Sequence, residues 1–289
     1  MSGRATLCIF AHYDQKNVVA PYVIYYLRSL RAIVNHIVFV STSSLSQLDI
    51  ELVGRSCDEI ILRDNIGYDF CSYRVGLESV DLRSFDQVLL CNDSVYGPFK
   101  SLELLMESSR LGALDFWGIT ESYNPAHHVQ SYFMAFQSGV IHSPEFSSFW
   151  KNVEPLPTKS DVIEQYELGL SQCLRRAGFT CGAWFPSRRM TGFGRIFRYP
   201  RHYLQMFRAR WRDPLLYVGL LRNATRKAGV NPSHYEWKHM LAIGKCMFLK
   251  VALFRGETNV YHDPNQSLEF ISSHTSYPVE LIRNHIGRN

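Results

Sequence analysis

The first half of this chain predicts an α/β fold: a mainly parallel sheet covered by helices on both faces, with a mostly helical appendage at the C-terminal end. Three observations carry that prediction. Strand-like apolar runs alternate with segments of helical apolar spacing. The strand runs are apolar throughout, as in strands buried on both faces. From "SPEFSSFW" onward the pattern turns helical, and beyond residue 185 the composition shifts to Arg, Phe, Tyr and Pro.

The elements follow in order. "TLCIFAH" is a strand by its apolar run. "PYVIYYLRSLRAI" carries apolar residues at 23, 26, 27, 30 and 33, a helical spacing, with Pro21 suited to the first turn. "HIVFVST" is a second strand, followed by a short helix around "LSQLDIELV", and "EIILRD" is a third. "NIGYDFCSYRVGL" is a loop opening a helix, and "DQVLLCND" is a fourth strand. "SLELLMESS" reads as a helix, "LDFWGIT" and "SYFMAF" as two further strands. In "SDVIEQYELGLSQCLRRAGF", Asp161 and Glu164 are spaced for a capping box and Gly178 for a helix stop. Residues 1–185 form the main domain by this pattern and 186–289 the appendage.

Composition narrows the classes. A chain of 289 residues with 46% hydrophobic and 20% charged residues is globular, which excludes disorder and fibrous repeats. The apolar stretch near the N-terminus is too short for a signal-peptide core, and no run of 18 apolar residues occurs, so no membrane-spanning segment is expected. Seven cysteines without CxxC spacing read as reduced cytosolic thiols, with neither a disulfide framework nor a zinc site. The net charge of +5 is unevenly spread: residues 188–212 hold eight arginines, the next acid being Asp213.

Parallel sheets bind ligands at the carboxyl ends of their strands. Here those ends read "AHYD", "RDNIGYD" and "CNDSVYGP", three polar clusters converging on one edge. Asp93 ends a buried strand, where a carboxylate needs a cation or donors; Mg²⁺ with a nucleoside diphosphate would supply the cation, and an Asx turn would supply donors. In "DNIGYDF", Gly67 permits close backbone approach, while Asn65 and Asp69 can pair with a base or ribose; Asp69 can equally cap a helix. In "AHHVQSYFMAF", adjacent histidines point to opposite faces, so one is expected to be exposed and inert, the other to join Gln130 in binding sugar hydroxyls or phosphate. Glu167 borders the apolar face of the last helix, where burial raises a carboxyl pKa and suits it to act as a general base. A salt bridge with Arg63, Arg74 or another arginine is the competing role for Glu167.

"FAHYD", "NIGYDFCSY", "LLCNDSVYGP", "FWGITES", "HHVQSYFMAF", "FWKNV" and "IEQYELGLSQCLRRAGF", in this order, resemble the rhamnan synthesis protein F family, and "YEWKHMLAIGKCMFLKVALFRGETN" resembles its C-terminal signature. The resemblance implies a Rossmann-like sheet of glycosyltransferase A type. It implies transfer of a deoxysugar, L-rhamnose from dTDP-rhamnose, onto a lipid-linked bacterial surface polysaccharide such as O-antigen or rhamnan. It places Asp93 at the family's metal and diphosphate motif, with Mg²⁺ or Mn²⁺ as the expected ion; here one carboxylate is flanked by Asn92 and Ser94 in place of an Asp-x-Asp pair, which puts metal dependence in question. His12, Asp14, Asn65, Gly67 and Asp69 would face the nucleotide, His128, Gln130 and Ser131 the sugar or its phosphates. Glu167 is the expected base, Asp69 the second choice.

Two other classes fit parts of the sequence. The basic, aromatic segment suits a nucleic-acid binder, but no ordered module accompanies it, and nucleic acid is not an expected partner. A nucleotide-binding protein without transferase activity would share the strand-end clusters. For a transferase acting on a lipid-linked acceptor, residues 188–221 predict peripheral attachment to an anionic membrane, at the inner face of the bacterial cytoplasmic membrane.

Overall fold

The computed structural model describes residues 4–123, 126–187, 189–190, 197, 204, 228–229, 232–256 and 263–288. Strand β1 (Thr6–His12) leads into helix α1 (Pro21–Arg31), which starts on Pro21 at its first turn. The chain continues through β2 (His36–Ser41), α2 (Gln47–Gly54), β3 (Glu59–Leu62), α3 (Tyr68–Glu78) and β4 (Gln87–Asn92). The Ser46 side chain caps α2 by accepting from the Asp49 amide, and Gly67 stands at the start of α3 with φ +81°, which a glycine adopts without cost.

After β4 come β5 (Val95–Tyr96), α4 (Glu103–Met106), α5 (Ser109–Gly112), β6 (Phe116–Ser122), β7 (His128–Val129), β8 (Phe133–Gln137), α6 (Ser138–Ile141) and α7 (Pro144–Lys151). The stretch expected as one helix, "SLELLMESS", is split into the two short turns α4 and α5, because Ser108 caps a fresh start by accepting from the Leu111 amide. α8 (Lys159–Val162) passes through a π-helical turn (Ile163–Leu168) into α9 (Gly169–Arg176). Its cap also differs from expectation: Thr158 accepts from the Asp161 amide, so Asp161 is the third residue of the helix and Glu164 is left outside any capping box.

The remaining elements are β9 (Cys181–Phe185), β10 (Arg189–Met190), β11 (Ala228–Gly229), α10 (Pro232–Tyr235), α11 (Trp237–Ala242), β12 (Leu249–Lys250), α12 (Val251–Phe254), α13 (Pro264–His274) and α14 (Glu280–Ile286). The main sheet runs β3-β2-β1-β4-β8-β6, with β7 and β9 both joined to β6. β3, β2, β1 and β4 are mutually parallel, β8 is antiparallel to both β4 and β6, and β9 is parallel to β6. The carboxyl ends of β1, β2, β3, β4 and β6 therefore lie along one edge.

Alternate residues of each central strand feed two cores. Cys8, Phe10, Phe39, Leu89 and Cys91 face a cluster with α1; Leu7, Ile9, Val38, Val40, Val88 and Leu90 face a second with α3, α7 and α9. Residues beyond 185 join the first cluster: Trp237, Met240, Phe248, Leu253, Ile271 and Ile282 are all buried in it. β12 pairs with β5, so the C-terminal part is stitched to the loop that follows β4. Among the described residues no helix is long and apolar enough to cross a membrane.

Candidate active site

The loop after β1 and the loop after β4 meet through Asp93. Its Oδ2 accepts from the Tyr13 amide at 2.9 Å and lies 3.9 Å from His12 Nε2, while the Asp93 carbonyl accepts from the Tyr22 hydroxyl at 2.8 Å. Oδ1 has no hydrogen-bond partner among the described residues. Burial pushes the Asp93 carboxyl up to about 7, a rise to which Asp69 and Asp14 add. His12 Nδ1 is 2.9 Å from Ser41 Oγ, and burial pulls this imidazole down to about 4, so it is neutral near pH 7. Asp14 folds back to accept from the Lys16 amide at 2.8 Å, and its own amide donates to Ser43 Oγ. The Asx turn expected of Asp93 belongs instead to Asn92, whose Oδ1 accepts from the Ser94 amide and hydroxyl.

Asn92 also joins the third strand-end loop to the site. Its Nδ2 donates to Asp69 Oδ2 at 2.8 Å. Asp69 lies in the first turn of α3 without capping it, that place being taken by Gly67. Burial, then the nearby Glu167 charge, raises the Asp69 carboxyl. The loop is latched by Arg63, which donates to the carbonyls of Asp64, Ile66 and Tyr68 and to Ser72 Oγ. Asn65 is exposed on this loop and makes no side-chain contact with the cluster.

Glu167 departs from what its sequence position suggested. Its Oε2 accepts from the Ser131 amide at 3.0 Å and from the Ser131 hydroxyl, and its Oε1 lies 3.2 Å from His128 Nε2. Burial alone would raise this carboxyl, but the His128 bond, the Lys250 charge and the Ser131 hydroxyl outweigh it and hold it below the usual glutamate value. His128 is raised: burial opposes its charge, and the Glu167 bond prevails. The partner of Glu167 is thus a histidine, and neither Arg63 nor Arg74.

The histidine pair does point to opposite sides, but neither member is inert. His127 Nε2 lies 2.8 Å from Oε2 of the buried Glu121, whose Oε1 accepts from the Ser187 amide. Gln130 is turned inward, its Oε1 accepting from Thr120 Oγ1, which lies 2.7 Å from the Tyr132 hydroxyl.

The structure thus gathers His12, Asp14, Asp69, Asn92, Asp93 and Ser94 in one cluster and His128, Ser131 and Glu167 in an adjoining one. Lys250 reaches both and went unnoticed in the sequence; its one signal there is a lone charge in the apolar run "CMFLKVALF". Among the described residues no group of three or more His, Cys, Asp or Glu side chains is placed to hold a metal by itself. A single carboxylate with an oxygen unpartnered among the described residues fits instead a divalent cation that completes its shell with phosphate oxygens and water.

A family model described as rhamnan synthesis protein F matches residues 37–206. Virulence protein VirA of Vibrio anguillarum is 28% identical over 246 residues, covering 80% of this chain and 75% of that protein. Two solved structures share part of the shape. 4-diphosphocytidyl-2C-methyl-D-erythritol synthase from Anaerococcus prevotii has a TM-score of 0.38 at 14% identity, covering 57% of this chain and 85% of its own. Glucosyl-3-phosphoglycerate synthase from Mycobacterium tuberculosis, in complex with Mn²⁺, UDP-glucose and phosphoglyceric acid, has a TM-score of 0.37 at 9% identity, covering 62% and 81%.

Proposed function

The chain belongs to the rhamnan synthesis protein F family, and from that premise we propose that it is a glycosyltransferase of the A-type fold. Its donor is a nucleotide sugar, dTDP-L-rhamnose, and its acceptor a lipid-linked bacterial surface polysaccharide such as O-antigen or rhamnan. One observation carries this reading: three carboxylates, Asp14, Asp69 and Asp93, converge at the carboxyl edge of a mainly parallel sheet, with Asp93 raised by burial and its Oδ1 without a hydrogen-bond partner among the described residues. An unmatched buried charge of this kind suits a site that is completed by its ligand.

Residues 1–185 would bind the donor and residues 186–289 would face the acceptor and the inner membrane surface. His12, Asp14, Asn65, Gly67 and Asp69 line the nucleotide side, and Asn92 and Ser94 shape the turn that presents Asp93. Asp93 would hold Mg²⁺ or Mn²⁺; when bound, such an ion offsets the charge of the diphosphate. His128 and Ser131 would border the sugar, whereas Gln130 is bonded inward to Thr120. An acceptor hydroxyl attacks the anomeric carbon, the diphosphate departs with the electrons of the broken bond, and a carboxylate takes the hydroxyl proton. Asp69, raised by its surroundings, is the better proton acceptor; Glu167, held by Ser131 and His128, fixes the sugar-side wall.

A thermal-shift panel of dTDP-, UDP- and GDP-sugars, each with and without Mg²⁺ or Mn²⁺, tests donor and metal together. A donor at about 100 times its dissociation constant stabilises by about 2.7 kcal/mol. dTDP-rhamnose should give the largest shift; no shift with any nucleotide sugar rejects the proposal. Asp93→Asn should keep the fold and lose transfer about a hundredfold or more, measured as nucleoside diphosphate released.

A further inference from the structure

Lys250 is carried to the site from the far end of the chain. Its strand pairs with β5 so that Lys250 stands opposite Val95, two residues beyond Asp93, and the Val251 amide donates to the Ser94 carbonyl at 2.9 Å. The ammonium lies 4.4 Å from the centre of the Tyr132 ring. It feels the attraction of Glu167 and Asp69 and the repulsion of Lys159. Both carboxylates already have closer donors, Glu167 in Ser131 and His128 and Asp69 in Asn92. Lys250 itself has no hydrogen-bond or ion-pair partner among the described residues.

Lys250 is half-buried, and an ammonium partly withdrawn from water with no acceptor among the described residues is costly. A ring face recovers part of that cost, and an anionic ligand would recover the rest. We infer that Lys250 is a catalytic residue that binds the phosphoryl oxygens of the donor and steadies the diphosphate as it leaves. The inference rests on the glycosyltransferase reading and adds to it a cation supplied by the chain itself. As the bond between the anomeric carbon and the diphosphate oxygen breaks, both its electrons stay with that oxygen. The acceptor oxygen bonds to the same carbon and gives its proton to a carboxylate. Lys250 forms no covalent bond; it donates hydrogen bonds where negative charge grows.

Binding of dTDP, UDP and GDP to the full chain, measured by titration calorimetry in the presence of a chelator, is the test. Each diphosphate is paired with its uncharged nucleoside. Lys250→Met should weaken the tightest-binding diphosphate about tenfold to a hundredfold and leave the nucleoside unchanged. Lys250→Arg should restore most of the loss. Wild-type diphosphate affinity in a folded Lys250→Met chain would overturn the inference alone. So would equal weakening of nucleoside and diphosphate, which would mark Lys250 as a support of the fold. Binding of no nucleoside diphosphate by the wild-type chain with the chelator would overturn the inference, and binding of none with Mg²⁺ or Mn²⁺ supplied in its place would overturn the reading beneath it as well.

Discussion

Asp69 and Glu167 are carboxylates near enough to feel each other's charge, yet their surroundings drive them in opposite directions. Asp69 has one neutral donor in Asn92 and a like charge nearby; Glu167 has a serine that donates twice and a histidine. Asp69→Asn should therefore lower the turnover number for transfer by about 10²–10⁴, as steady-state kinetics would read it. Glu167→Gln should act mainly on stability, lowering the melting temperature; the reverse pattern would return the base to Glu167. The histidine gives a second expectation. A histidine whose folded pKa is raised stabilises below its unfolded value, near 6.5, and that contribution fades as pH rises through the folded value. A glutamate whose folded pKa is lowered contributes above its unfolded value, near 4.5, and loses this as pH falls. The pair is fully effective between those limits, so His128→Gln should lower the melting temperature more at pH 6 than at pH 9, and an equal loss at both would show the pairing to be unimportant. The residue types at the strand ends were legible in the sequence. The direction of the Glu167 shift was not, because His128, Lys250 and Ser131, which lower it, are brought to it only by the fold.

At the scale of elements, α3 decides where Asp69 stands, and two glycines fix α3. A Cβ on Gly67 would come within 2.3 Å of Cys71 Sγ and 3.0 Å of the Pro155 backbone; one on Gly76 would come within 2.4 Å of Ile9 Cγ2. The second contact sets the distance between α3 and β1. Ile9 is fully buried and β-branched, so it has little room to yield. Gly76→Ala should cost about 1–3 kcal/mol and, by displacing the start of α3, lower transfer as well; chemical denaturation and kinetics on the same preparation would read both. Unchanged stability would show that the helix slides freely. The parallel strands β1 to β4 were readable because each is an unbroken apolar run between turn signals. The reversal at β8 was not, since an apolar strand carries no mark of its direction. The π turn was hidden for a related reason: it keeps the apolar face of a regular helix and changes only the hydrogen-bond register.

For the whole molecule, the shift in composition near residue 185 does not coincide with a break in the core. Trp237, Phe248 and Ile282 are buried with Phe10 and Tyr26 in one cluster, so described residues from both sides of the basic segment share one core. Residues 188–221 lie almost wholly outside the described residues; of those described, Phe197 is 83% and Leu204 50% exposed. A segment that mixes eight arginines with aromatic residues, following in sequence a strand whose carboxyl end lies at the same sheet edge as the site, has the composition of a membrane-surface contact. Each arginine near anionic lipid contributes about 1 kcal/mol, an attraction that salt screens. The intact chain should therefore sediment with vesicles containing anionic lipid, less so at high salt. Replacing Arg201, Arg208, Arg210 and Arg212 with glutamine should abolish that binding, with the melting temperature of the same variant recorded as the control for folding. Equal partitioning onto neutral and anionic vesicles, or none onto either, would show that the arginines serve the substrate or the solvent and that the acceptor reaches the enzyme by another route.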